Sequence, residues 1–171
     1  MSKKAKAAAR EVLDRFGSKI PINVDAIAKD NGIEVIEDDE LESFVSGILM
    51  IKAGRAAIMI NRYHSEFRKQ FTIAHELGHY FLHRDTSSVF IDETRHFYRG
   101  GGGEQGIDIK EVEANRFAAE LLMPEEAVRA DLKADPARAK DDVAIGKLGH
   151  RYGVSGTAMK LRLQELKLIG R

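Results

Sequence analysis

The sequence predicts an α+β fold in which a short antiparallel sheet packs on a long helix and a C-terminal pair of helices follows. Three observations predict it. Runs of β-branched and aliphatic residues typical of strands lie before residue 61. Helical periodicity dominates from residue 65 onward. A chain of 171 residues can bury one hydrophobic core without disulfides, and strands that precede most of the helices favour α+β over α/β.

Composition excludes several classes of function. Lys and Arg number 27, as do Asp and Glu, so the net charge is zero and no global positive field exists to hold nucleic acid or an anionic membrane. The absence of cysteine excludes disulfides, a thiol nucleophile and thiolate metal ligands. No apolar run approaches the ~20 residues of a membrane span, and residues 1–10 lack the apolar core of a signal peptide. We therefore expect a cytoplasmic protein.

The first part of the chain is predicted to form two helices and three strands. The helices cover residues 5–16 and 24–31, and the strands cover residues 33–36, 46–51 and 56–60. Ala53 and Gly54 separate the last two strands and predict a hairpin turn. We expect the strand over 56–60 to be a sheet edge that aligns a bound peptide as an added strand.

Helices dominate the second part of the chain. They are predicted over residues 65–83, 108–123, 142–151 and 155–166. A further helix begins at Pro124, because proline suits the first turn of a helix and the acids Glu125 and Glu126 are favourable near its N-terminus. Residues 84–107 contain four consecutive glycines from Gly100 onward, and we interpret this segment as a long loop that acts as a lid over the site described next.

The last two helices resemble a helix-turn-helix. They flank a short turn before Ser155, which is a good N-cap. Residues 143–171 carry six Lys or Arg against Glu165 alone, a net charge of +5 that suits phosphate contacts. Helix pairs with a glycine turn are also common packing units, and we favour packing over DNA binding. We divide the chain into a core over 1–135 and a helical subdomain over 136–171.

The motif H-E-x-x-H lies in the long predicted helix at His75, Glu76 and His79. Residues four apart on a helix share a face, so both imidazoles can converge on one ion. Glu76 lies one step round the helix, where a carboxylate can reach a water molecule on that ion without displacing it. A catalytic zinc keeps three protein ligands and an open position, and its bound water becomes a usable nucleophile near neutral pH. The motif therefore predicts a hydrolytic metal centre.

The flanks of the motif indicate a buried helix. Apolar residues recur around it at helical spacing, at Phe67, Phe71, Ala74, Leu77 and Phe81. Gly78 costs about 1 kcal/mol relative to alanine in a helix interior, so we expect another backbone to approach closely there. His83 lies ~12 Å along the helix from His75, too far to share an ion ~2 Å from each nitrogen, and we assign it a structural role.

A third ligand is expected from the helix over 108–123. Glu111 and Asn115 are four residues apart, so one face offers a carboxylate ligand and an amide that can hydrogen-bond a ligand histidine. Two alternatives remain. Glu111 also completes a capping box with Asp108, and Glu113, about 200° round the helix, is a rival ligand. We favour Glu111.

Two separated motifs together resemble the ImmA/IrrE family of small bacterial metallopeptidases. They are AHELGH at residues 74–79 and the pattern E-x-x-A-N-x-F-A-A-x-L-L-M-P at residues 111–124. The resemblance spans about residues 46–124. It implies a small zincin-like core with a gluzincin-like site. It also implies a partner, because family members cleave helix-turn-helix repressors and so switch on phage, mobile-element or stress genes.

Carried over residue by residue, the resemblance implies that His75, His79 and Glu111 bind zinc and that Glu76 is the general base. Such nitrogen and oxygen ligands suit zinc but also Mn²⁺ or Fe²⁺. In the expected mechanism the ion and Glu76 activate water, and Glu76 passes the proton to the leaving amine. The candidates for a second oxyanion donor are Tyr63, His96 and Tyr98, among which no spacing selects.

Two functional hypotheses follow. In the first, the protein is a zinc-dependent endopeptidase that cleaves a helix-turn-helix transcriptional repressor and relieves repression. In the second, it is a non-proteolytic regulator that binds a repressor or DNA, and the metal is structural. Structural zinc usually has four protein ligands and no use for a base beside an open position. The presence of Glu76 therefore favours the enzyme.

Overall fold

The computed structural model describes residues 3–93 and 109–170. In chain order the elements are α1 (Lys3–Phe16), α2 (Val24–Asp30), β1 (Ile33–Asp38), β2 (Val45–Lys52), β3 (Arg55–Asn61), α3 (Glu66–His83), β4 (Val89–Glu93), α4 (Ile109–Leu122), α5 (Glu125–Ala134), a 3-10 turn (Pro136–Ala139), α6 (Asp142–Arg151) and α7 (Gly156–Glu165). The fold is α+β, as predicted. Helix α3 begins at a polar cap, because the Ser65 side chain accepts a hydrogen bond from the backbone N–H of Arg68.

The four strands form one mixed sheet in the order β1-β3-β2-β4. β2 pairs antiparallel with both β3 and β4, whereas β1 runs parallel to β3 and places Val35 beside Ile58. The prediction of an antiparallel sheet is therefore wrong for β1. The prediction that the strand over 56–60 is an edge is also wrong, because β1 occupies its outer side. β1 pairs with β3 rather than with β2, the next strand in the sequence. The residue pattern within a strand does not specify which strand becomes its partner.

The turn between β2 and β3 forms where it was predicted. Ala53 and Gly54 have positive φ angles of 50° and 76°, which is the combination that a two-residue type I′ hairpin turn requires. Gly54 adopts this conformation without steric cost. The turn sets the register that pairs Leu49 with Ile58, both of which are fully buried.

Helix α3 lies between the sheet and α4 and forms the centre of the core. Its residues Ile73 and Leu77 are buried against these neighbours. The expected close approach at Gly78 is confirmed, since a Cβ there would lie 3.0 Å from the Cα of Ala114 and 3.2 Å from the Cβ of Phe117. Carbon atoms in ordinary contact are ~3.5–4.0 Å apart. The missing side chain at Gly78 thus sets the distance between α3 and α4.

The expectation of a continuous loop over 84–107 is wrong at Val89–Glu93. This segment forms β4, pairs with β2 and buries Phe90. Its apolar run is only three residues long, too short for a periodic signal. The four glycines interpreted as part of a lid lie outside the described residues.

The C-terminal helices α6 and α7 pack on the helices that precede them. The buried Arg162 of α7 donates from Nε to the carbonyl oxygen of Met123, 3.1 Å away, and pairs with the buried Glu120. The Tyr152 hydroxyl donates to Oδ2 of Asp131 over 2.8 Å. A boundary at residue 136 stays a prediction. In the described part of the chain, no helix has the length and apolar character needed to cross a bilayer.

Candidate metal centre

Side chains from α3 and α4 meet in a donor cluster formed by His75, His79 and Glu111. The Nε2 atoms of His75 and His79 lie 3.0 Å apart. Glu111 Oε2 lies 3.2 Å from the Nε2 of His75, and Glu111 Oε1 lies 3.1 Å from the Nε2 of His79. A tetrahedral zinc ion with ligands ~2.0–2.1 Å away holds its ligand atoms about 3.3 Å apart. The donor cluster therefore has close to the separations and the chemistry that a zinc ion needs.

Glu111 and Glu113, the rival acids of the sequence analysis, face different histidines. Glu113 does not join the donor cluster; its Oε2 lies 3.1 Å from Nε2 of His83, one turn further along α3. Asn115 lies beside His75, as predicted, with its Oδ1 3.1 Å from Nδ1 of the ring. Because an amide oxygen only accepts, the His75 Nδ1 donates, and the lone pair of its Nε2 is directed into the donor cluster.

Glu76 is fully buried beside the donor cluster. Within residues 3–93 and 109–170, neither of its carboxylate oxygens has a hydrogen-bond partner. Glu76, His75 and Asp92 form a second group whose potential ligand atoms lie within 4.8 Å of one another. Burial of a carboxylate without hydrogen bonds opposes folding. A cation, or a water molecule that it orients, would therefore be stabilising at this position.

Burial raises the pKa of Glu76 to about 8. The charge of His75 works in the opposite direction, whereas Asp92 and Glu111 add to the rise. A carboxyl group whose pKa lies near neutrality can accept and release a proton at physiological pH, as a general base that later becomes a general acid must. The electrostatics of Glu76 thus suit proton transfer.

The acids also change the titration of the histidines. Burial lowers the pKa of His75, but neighbouring acids, chiefly Glu111, outweigh burial and raise it to about 9. At His79 burial prevails, and the pKa is lowered. Burial works to raise the pKa of Glu111, but the imidazoles of His75 and His79 beside its two oxygens hold it well below its usual range. The same acids that raise the pKa of His75 also favour a divalent cation at this position.

Strand β2 passes directly over α3 at Glu76, and only glycine fits there. A Cβ on Gly47 would lie 2.4 Å from Cγ2 of Thr72 and 3.3 Å from Oε1 of Glu76. A glycine inside a strand is a sequence signal for such a close approach, although it does not reveal the approaching element. Sequence reasoning also missed Asp92, because β4 itself was not predicted.

The role of a second oxyanion donor stays open between the three predicted candidates. Tyr63 lies in the turn that follows β3, and it is 76% exposed. His96 and Tyr98 lie outside the residues that the structure describes. No assignment of this role therefore follows from the geometry.

A cavity of about 520 Å³ lies between α3, α4 and α7. Its apolar lining includes Phe67, Phe71, Ala119, Met123, Ala158 and Leu161. Phe71 lies one helical turn before His75, and Asn115, which also lines the cavity, is hydrogen-bonded to the same ring. Asn115 therefore connects the lining of the cavity to His75 of the donor cluster.

Comparison with known proteins places this geometry in a family. The profile of Peptidase_M78, the IrrE N-terminal-like domain, matches residues 28–164. "Uncharacterized immunity region protein 2" of Bacillus phage phi105 is 38% identical over 68 residues, which are 40% of this chain and 38% of the phage protein. A Mycobacterium tuberculosis transcriptional regulator shares the fold, with a TM-score of 0.63 and 20% identity over 94% of this chain and 46% of that chain. This chain spans less than half the length of either relative. Because the profile matches most of the chain, the protein belongs to the Peptidase_M78 family of IrrE N-terminal-like domains.

Proposed function

We propose that this protein is a zinc-dependent endopeptidase that cleaves a helix-turn-helix transcriptional repressor and so relieves repression of phage, mobile-element or stress genes. The observation that carries the proposal is the buried carboxylate of Glu76, which lacks a hydrogen-bond partner among the described residues, beside the donor cluster. Membership of a peptidase family supports the reaction class. Likeness to a phage immunity region protein supports a regulatory substrate of this kind.

In this proposal His75, His79 and Glu111 hold the metal, and Glu76 is the general base. A bound zinc ion, or Mn²⁺ or Fe²⁺ with the same nitrogen and oxygen ligands, would supply an acidic water and polarise the scissile carbonyl. Glu76 removes the proton from the attacking water and then delivers it to the leaving amide nitrogen. Burial raises the pKa of Glu76 above its ordinary value, which makes its carboxylate a stronger base toward the attacking water.

The cavity between α3, α4 and α7 is the proposed binding site for substrate side chains near the cut. Its lining is mostly apolar, with Phe71 and Met123 on the core side and Leu161 on the C-terminal helices. Small-molecule and peptide sites commonly combine an apolar lining with a few polar groups that fix orientation. In this arrangement the proposed subdomain over 136–171 contributes to substrate recognition rather than to DNA binding.

A purely structural metal does not account for Glu76. The carboxylate of Glu76 is buried, and no hydrogen bond within the described residues offsets the unfavourable free energy of its transfer from water. A structural zinc would normally take a fourth protein ligand and leave no room for solvent. A buried base next to three donors is therefore more consistent with a hydrolytic site.

The decisive experiment incubates the protein with the helix-turn-helix protein encoded beside its gene. Zinc, Mn²⁺ and Fe²⁺ are tested with and without a chelator, and products are identified by mass spectrometry. We expect metal-dependent cleavage by the wild type and a loss of about 10²–10⁴-fold for Glu76→Gln at unchanged zinc affinity. Glu66→Gln is the matched control, because it makes the same change at an exposed position of the same helix.

The outcomes separate the two hypotheses. Undiminished cleavage by Glu76→Gln with metal still bound would remove Glu76 from the mechanism. A repressor that stays intact with every metal, together with zinc-dependent folding, would favour the non-proteolytic regulator. Salt-dependent binding of DNA by the same preparation would support the version of that alternative in which the C-terminal helices contact DNA.

A further inference from the structure

We propose that His83 and Glu113 form a positioning pair that fixes the proton of His79 on Nδ1, so that the Nε2 lone pair of His79 is available to a metal ion. The proposal rests on the function proposed above, since it assigns a role to residues that contact a proposed ligand. It concerns a histidine and an acid that the metal-binding and proton-transfer steps do not use.

The geometry links three side chains in series. His83 is only 4% exposed, and it lies one helical turn after His79 on the same face of α3. Its Nδ1 is 3.3 Å from Nδ1 of His79, and its Nε2 is 3.1 Å from Oε2 of Glu113 on α4. Each imidazole therefore uses one ring nitrogen toward its neighbour, and the series ends on a carboxylate.

The carboxylate determines where the protons lie. An ionised Glu113 can only accept a hydrogen bond, so the Nε2 of His83 carries a proton and donates to it. In a neutral imidazole the other nitrogen is then an acceptor. The Nδ1 of His79 must therefore donate to the Nδ1 of His83, which leaves the His79 Nε2 without a proton.

The opposite arrangement would conflict with the donor cluster. If His83 donated from Nδ1 to His79, the proton of His79 would lie on Nε2. That proton would point at the Nε2 of His75, 3.0 Å away, where a ligand lone pair is needed. The acid at the end of the series thus decides whether His79 presents a lone pair or a proton.

His75 provides an internal comparison. Its Nδ1 meets the amide oxygen of Asn115 at 3.1 Å, and an amide oxygen can only accept. The two proposed ligand histidines are therefore oriented by different chemistry, one by a single acceptor and the other by an imidazole that a carboxylate polarises. An asparagine in place of His83 would imitate at His79 what Asn115 does at His75.

The test measures zinc affinity by competition with a chromogenic chelator for four variants. His83→Phe keeps an aromatic ring beside Phe90 but offers no acceptor, and we expect its affinity to fall about 10–100-fold. His83→Asn restores an acceptor and is expected to stay within about threefold of the wild type. Glu113→Gln lowers affinity when His83 is present. In the His83→Asn background Glu113→Gln has no effect, because the asparagine oxygen accepts regardless of its neighbour.

A spectroscopic readout follows the proton itself. In the ¹⁵N-histidine-labelled zinc protein, the ring shifts of His79 are expected to report a proton on Nδ1 and metal on Nε2. A role in packing alone would not produce this pattern of rescue and coupling, so thermal melts of each variant without zinc serve as the folding control. If His83→Phe fails to fold, the pair of His83→Asn and its double variant with Glu113→Gln still decides the matter.

Three results would overturn the positioning pair. They are wild-type affinity in a folded His83→Phe variant, equal losses in His83→Phe and His83→Asn, and a cost of Glu113→Gln that persists in the His83→Asn background. A wild-type protein that binds neither zinc nor Mn²⁺ nor Fe²⁺ would overturn the proposed function, and the positioning pair with it. Tight zinc binding that is indifferent to all four variants would overturn the pair alone.

Discussion

Gly78→Ala tests the claim that a missing side chain sets the spacing of α3 and α4, the two helices that carry the donor cluster. Alanine gains about 1 kcal/mol over glycine in a helix interior. Its Cβ, however, would lie 3.0 Å from the Cα and 3.1 Å from the carbonyl oxygen of Ala114. Backbone atoms cannot rotate away, so α4 must retreat by about 0.5 Å to reach ordinary contact. Overpacking of this kind costs about 1–3 kcal/mol, which leaves a net loss in unfolding free energy of roughly 0–2 kcal/mol.

The larger effect is expected on the donor cluster. Glu111 lies three residues before Ala114 on the same face of α4, so the retreat carries its oxygens away from both histidines. We expect zinc affinity to fall about 10–100-fold, as for changes that displace a ligand without removing it. Urea unfolding measures the first effect, and chelator competition measures the second.

Gly146→Ala is the matched control for this variant. It makes the same change inside α6, where a new Cβ meets nothing within 4 Å. We expect a gain of about 1 kcal/mol in unfolding free energy and no change in zinc affinity. If Gly78→Ala is stabilised as much as Gly146→Ala and binds zinc like the wild type, the close approach does not set the spacing and the reasoning is wrong.

Three further predictions follow from the same contacts. Gly47→Ala places a Cβ 2.4 Å from the Thr72 side chain, and we expect it to lower the unfolding free energy measured in urea by about 1–3 kcal/mol. It should also reduce cleavage, because the new Cβ displaces Glu76, and unchanged cleavage would contradict this. Hydrogen bonds from Lys6 and Arg129 lower the pKa of Glu125 to about 2. The wild type should therefore be more stable than Glu125→Gln above pH ~4.5, and this advantage should disappear as the pH falls toward 2. A stability difference that does not change with pH would contradict this. Zinc at about 100 times its Kd should add ~2.7 kcal/mol of stability in thermal melts at pH 7.5, and an equal shift at pH 5 would contradict neutral ligand histidines.

Sequence reasoning succeeds where the signal is local. Helix geometry places His75 and His79, four residues apart, on one face of α3. The same spacing places Asn115 on the face of α4 that carries Glu111, and from there it contacts His75. Gly78 is informative for the same reason, because an unfavourable residue inside a helix indicates a compensating contact. The Ala53 turn is equally local, since two residues determine its type.

Sequence reasoning fails where pairing joins distant segments. Phe90 and Asp92 belong to a strand of five residues whose partner, β2, ends some 37 positions earlier, at Lys52. Neither the alternation nor the length of such a segment separates it from a loop. The parallel pairing of Val35 with Ile58 is likewise invisible in either strand alone. Because Asp92 reaches the site through this pairing, the second acid beside Glu76 could not be predicted.

The arrangement of α3 gives a physical reason to look for function at this site rather than elsewhere in the core. On the same helix Ile73 and Leu77 satisfy folding alone, with apolar side chains fully enclosed by their neighbours. Between them the chain buries His75 and Glu76, whose desolvation opposes folding and would be avoided by any apolar pair of similar size. Natural chains depart from the rules of core packing mainly at functional sites. His75 and Glu76 lie on the turn of α3 that faces Glu111, where three acids would also stabilise a cation.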